Sequence, residues 1–141
     1  MIELQITYLL LHGSVVLLVG VLSGFIYWLA IILKWESETA RFWRVTHTFI
    51  VIFGLTMLIF ALVIPQTALS SGEVQLLVFA MTIAGYGFVF AFVVGSWKKM
   101  RGLTPKPFGF NTVLFAGHVI GIGGSLIGTA MLIFGLFKIF F

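Results

Sequence analysis

Three histidines, His12, His47 and His118, carry most of the chemistry this sequence could perform. There is no cysteine, which excludes disulfides, iron–sulfur clusters and thiolate zinc sites. There is no aspartate, and the four acidic residues are Glu3, Glu36, Glu38 and Glu73. Zinc is disfavoured, because it wants three or four protein ligands and no carboxylate or thiol is placed to join the imidazoles. Haem iron needs only one or two histidines and an apolar pocket. Its propionates want cations near the membrane surface. Arg41 and Arg44 precede His47 by six and three residues. Arg44 therefore shares roughly one helix face with His47, one turn nearer water. His118 is a candidate second iron ligand. Each residue also has a plainer explanation. Membrane histidines often only join helices by hydrogen bonds. Paired arginines often only anchor a span. His12, beside Gly13, reads as an interfacial residue.

These side chains sit in an unusually apolar chain. Of 141 residues, 61% are hydrophobic and 9% are charged, with mean hydropathy +1.21. A soluble domain carries about 25% charged and 45–50% apolar residues, so a soluble core is excluded. Disorder is excluded by the same apolar excess. A membrane helix needs roughly 20 mostly apolar residues. Four stretches qualify: Ile6–Leu33, Phe42–Ile64, Val74–Trp97 and Thr112–Phe137. None contains proline, and none alternates as a barrel strand would. The first lacks a basic leader and a cleavage motif, and is read as retained. The expectation is one all-α membrane domain over 1–141, an antiparallel up-down four-helix bundle. Short connections make consecutive helices neighbours.

The few charges give an orientation. Lys34, Arg41, Arg44, Lys98, Lys99, Arg101 and Lys106 fall at one end of the bundle, and Lys138 alone falls at the other. The positive-inside rule makes the basic end cytoplasmic, with both termini outside, in a cytoplasmic membrane. The basic residues flank spans, so their natural partner is anionic lipid and not nucleic acid. No charged residue lies deep in a span, which argues against proton pumps and ion-coupled transporters. His47 and His118 lie five and six residues into their spans, roughly 8–9 Å below the basic interface at 1.5 Å per residue. His12 lies toward the opposite side.

Small residues at spacing four form ridges for close helix packing. Gly117, Gly121, Ser125 and Thr129 form one, with Gly124 and Gly128 beside it. Gly87, Ala91 and Gly95 form another, and Gly20 and Gly24 a third. Such ridges either pack helices or admit a flat cofactor or a second subunit. Four small helices bury little among themselves, which favours a homo-oligomer. Tyr86, Phe88, Phe90 and Phe92 could line an apolar substrate cavity, or simply face core and lipid.

Short motifs complete the pattern. They are Leu11-His12-Gly13, Arg44-Val45-Thr46-His47, Gly54, Pro65 and Gly85-Tyr86-Gly87-Phe88. Arg101-Gly102-Leu103-Thr104 and Pro107-Phe108-Gly109 then lead into a glycine-rich last helix. From about Leu11 to Leu136 the chain resembles the styrene oxide isomerases, small four-helix haem-b membrane enzymes. The resemblance implies a trimer with haem b near the subunit boundary and His47 as axial ligand. It also implies redox-neutral isomerisation of an aryl epoxide to an aldehyde. Ferric haem with an open face acts there as a Lewis acid. Two residues mark the region the family uses for catalysis. Phe53 stands where the family has an asparagine, six residues after the ligand. Tyr86 lies near the family's substrate-positioning tyrosine, out of register with it. His118 has no counterpart there. Bis-histidine ligation by His47 and His118 would instead describe a b-type cytochrome for electron transfer or haem sensing. A cofactor-free assembly subunit is the third reading.

Overall fold

The computed structural model describes residues 1–106 and 108–140. Pro107 of the Pro107-Phe108-Gly109 motif thus lies outside the described residues. Four helices account for nearly all of it: α1 (Ile2–Ile32), α2 (Ser37–Val63), α3 (Ser71–Lys98) and α4 (Phe110–Phe137). Each is long and apolar enough to cross a membrane, and no strand occurs among the described residues.

The helices begin and end where local chemistry dictates. Ser70 caps α3, and its backbone N–H donates to Glu73 Oε2 at 2.6 Å in a capping box. α3 ends at Lys99, whose left-handed backbone (φ 54°) closes the last turn onto Gly95 and Ser96. Pro65 lies in a single 3₁₀ turn, Ile64–Gln66, that terminates α2. The helices run past the apolar stretches: α2 starts at Ser37 rather than 42, and α3 at Ser71 rather than 74. For α3 the capping box, not hydropathy, sets the start.

Packing follows two hairpins. α1 lies against α2, and α3 against α4. α3 also touches α1 and α2, while α4 leans almost entirely on α3. The core gathers Leu9, Val16, Ile50, Met57, Leu77 and Met81, all essentially inaccessible. In lipid, apolar burial offers little driving force, so close packing between small residues matters more. The glycine ridges supply it. The backbones of Gly87 and Gly117 meet where α3 and α4 cross, and a methyl on Gly87 would sit 2.9 Å from the Gly117 carbonyl. Gly121 receives the Phe88 ring, and Gly124 and Gly128 receive Ala80 and Met81. The ridges on α4 are thus filled by α3. Large apolar side chains such as Leu18, Phe25, Ile59 and Leu126 cover the outside, as lipid contact requires.

One ion pair ties the two hairpins together at the basic end, and another closes the α3–α4 hairpin at the opposite end. Lys99 bonds Glu36 at the basic end, and Lys138 bonds Glu73 at 3.1 Å at the other. The lysine beside Glu36 holds its carboxyl below the usual carboxylate range.

Candidate functional site

His47 faces α1. Its Nδ1 lies 2.8 Å from the Gly20 carbonyl oxygen. A carbonyl can only accept, so Nδ1 carries the proton and Nε2 keeps a free lone pair. Nε2 has no protein partner and is not buried. The ring can lie this close because Gly24 has no side chain. A methyl there would fall 2.5 Å from Nδ1 and 2.7 Å from Cε1. Gly20 permits the approach of α1 to α2, since a methyl on it would meet the Val51 backbone nitrogen at 2.7 Å. Two glycines one turn apart therefore build a shelf on which His47 is clamped. One nitrogen is fixed to a carbonyl and the other is open, which is the usual arrangement of a metal-ligating histidine. From the helix start at Ser37, His47 is ten residues in, or about 15 Å along the axis.

The other candidates go to different neighbours. Arg44 is exposed on the outer face of α2, beside Thr48 and Ile52. Arg41 instead lines a cavity between α2 and α3 with Phe42, Thr46, Phe92 and Arg101. Val45 lies between the two arginines, lining both the cavity with Arg41 and the groove with Arg44. His118 is buried, at 7% exposure, and its Nε2 donates to the Arg101 carbonyl at 3.0 Å. Its ring stands edge-on to Phe92 of α3, with centroids 4.9 Å apart. His47 and His118 therefore turn to different helices, and α2 hardly touches α4. Phe53 is buried against Phe88, at 5.0 Å, in an aromatic cluster with Phe49 and Phe92 on the α3 side of α2. Within one copy, His47 and this cluster lie on different sides of α2.

Tyr86 joins a group that spacing alone did not reveal. Its hydroxyl lies 2.7 Å from His12 Nδ1, and the His12 ring rests on Tyr8 at 4.1 Å. His12 Nε2 is buried without a partner. His12 lies ten residues into α1 and Tyr86 fifteen into α3, so the bond joins the two helices well away from their ends, with Tyr86 exposed on the bundle surface. Matched depth on two spans was the available signal. A second unforeseen pair is Thr46 Oγ1 and Ser96 Oγ, 2.6 Å apart and buried, with Thr46 also donating to the Phe92 carbonyl at 3.1 Å.

A family model described as styrene oxide isomerase matches residues 5–137. No curated protein and no solved structure is significantly similar to the chain.

Proposed function

The chain belongs to the styrene oxide isomerase family, and from that premise we propose that it isomerises a small apolar epoxide to an aldehyde with haem b held by His47. The observation that carries the reading is the clamped imidazole: Nδ1 committed to the Gly20 carbonyl, Nε2 open, on a shelf of glycine. Bound there, ferric haem would supply a Lewis acid for the epoxide oxygen. Arg44, one turn nearer the basic end, would pair with a propionate in this reading.

The protein's own part is to hold, orient and keep dry. The Gly20 carbonyl fixes the imidazole's direction and raises its basicity as a ligand. The apolar surroundings exclude water from a cationic carbon, which would otherwise be trapped as a diol. Aromatic faces can stabilise such a carbon by about 0.5–2 kcal/mol each. In one copy those faces, Phe49, Phe53, Phe88 and Phe92, are turned toward α3 and away from His47. His47 Nε2 opens instead at the outer face, where one copy offers a single wall. A neighbouring copy would supply the other, in keeping with the homotrimer the family resemblance implies. An epoxide dissolved in the bilayer would reach such a site without crossing water. The basic end faces the cytoplasm in this reading.

The test is product formation. Purified, haem-loaded protein given styrene oxide is expected to yield phenylacetaldehyde, with no added reductant or oxidant, by gas chromatography. Folded protein with full haem that forms no aldehyde from styrene oxide or aliphatic epoxides would overturn the isomerase reading.

A further inference from the structure

The cavity at the basic end takes up residues that the haem reading leaves idle. It encloses about 200 Å³ between the first turns of α2, the last turns of α3 and the loop that follows. Phe42, Val45, Ala91, Phe92, Met100 and Leu103 give it apolar walls. Its floor holds the Thr46–Ser96 hydroxyl pair, 1% and 2% exposed. Those hydroxyls are satisfied by each other and by the Phe92 carbonyl. The floor therefore does not demand a polar ligand end.

Polarity is concentrated in three charged residues of the lining: Arg41, Arg101 and Glu38. No salt bridge joins any of them to another group among the described residues. Glu38 can offset one guanidinium and leaves the other without a counter-charge. Arg101 is also held in place. Its guanidinium carbon lies 5.8 Å from the centroid of the Phe42 ring. Its carbonyl accepts the bond from His118. The next residue, Gly102, has φ +59° and packs on Leu114 so tightly that no side chain would fit. His118, a buried residue with no other evident task, thus fixes the segment that carries Arg101 and Leu103 to the cavity.

We propose that this cavity binds a small aryl carboxylate, its head at Arg41 and Arg101 and its ring between Phe42 and Phe92, at a site separate from His47. The volume suits one ring and a short acid. It is below the roughly 300–1,000 Å³ of drug-sized sites, and too small for a diacyl lipid. A guanidinium suits a carboxylate, and an aromatic ring suits phenylalanine walls. His118 is a positioning residue for this site.

Phenylacetate, acetate and phenylacetamide are the probes, with binding to the full protein in neutral detergent followed by calorimetry and saturation-transfer NMR. Phenylacetate is expected to bind saturably, at least about tenfold tighter than acetate, which lacks the ring, or phenylacetamide, which lacks the charge. Arg101→Gln is expected to weaken it about tenfold, a typical loss for one charge-assisted bond. His118→Ala should weaken it severalfold, and His118→Gln, which can still donate to the carbonyl, should restore it. Equal affinity for phenylacetate and phenylacetamide in the unaltered protein would overturn the proposal, whatever the variants do. So would displacement of phenylacetate by phosphatidylglycerol in nanodiscs but not by other aryl acids, which would make the site a lipid-headgroup contact.

Discussion

If His47 holds haem as proposed, replacing Gly24 with alanine is expected to strip most of that haem without altering His47 itself. The new methyl would stand 2.5 Å from His47 Nδ1, 2.7 Å from Cε1 and 3.1 Å from Cγ. Ordinary contact begins near 3.4 Å, so the ring must retreat by about 1 Å. An imidazole two bonds from its backbone cannot yield as the end of a lysine could. Nδ1 now sits 2.8 Å from the Gly20 oxygen, and a retreat of about 1 Å breaks that bond. Overpacking costs about 1–3 kcal/mol, and the lost hydrogen bond about 0.5–1.5 more. Losing the carbonyl that orients a metal ligand typically costs about 10–100-fold in metal affinity. The assay is haem content of protein purified in detergent, read as Soret against 280 nm absorbance, beside the thermal-shift midpoint. Gly123→Ala is the control, because nothing lies within 4 Å of the position where its methyl would stand. It should leave haem unchanged and stability equal or higher, since alanine is the better helix former. Full haem affinity and an unchanged midpoint in Gly24→Ala would refute the clamp.

Three further outcomes are expected. Arg44→Gln should speed haem loss to apomyoglobin, whereas Arg41→Gln, on the cavity side of α2, should not; equal effects would deny the propionate contact. Tyr86→Phe leaves His12 with neither ring nitrogen partnered and should lower stability by about 1 kcal/mol, near the usual worth of a hydrogen bond between membrane helices. A double-mutant cycle with His12→Phe that showed no coupling would remove that pair from the account. Glu36 has its carboxyl held below the ordinary value near 4.5 by Lys99. A group with a depressed folded-state pKa stabilises above its unfolded value and loses that contribution as pH falls. Glu36→Gln should therefore leave the midpoint at neutral pH nearly unchanged, because the pair is exposed, and remove a small stability loss below about pH 4.5.

The membrane helices are legible because roughly twenty apolar residues in a row have few other uses. Their ends are not, because hydropathy falls silent where the chain leaves the hydrocarbon. Caps then decide, as Ser70 and Glu73 do for α3. The glycine ridges are visible in the sequence, but their partners are not. Gly117 and Gly121 meet α3, while Gly24 meets the imidazole of His47. Spacing alone puts Arg44 near the His47 face, because three residues bring a helix nearly round once. Arg41, six residues away, is carried round to the cavity on the α3 side. His118 matched His47 in depth and not in direction, since depth follows from counting and direction from tertiary packing. The His12–Tyr86 bond joins residues 74 apart, and no local pattern encodes it.

The central claim is that His47 carries the iron, and the absorption spectrum of the purified protein tests it most directly. The account predicts a ferric Soret band that persists in His118→Ala and disappears in His47→Ala, in protein that still elutes as a folded species. A Soret band of full occupancy in His47→Ala, or none in the unaltered protein after haem supplementation, would contradict it.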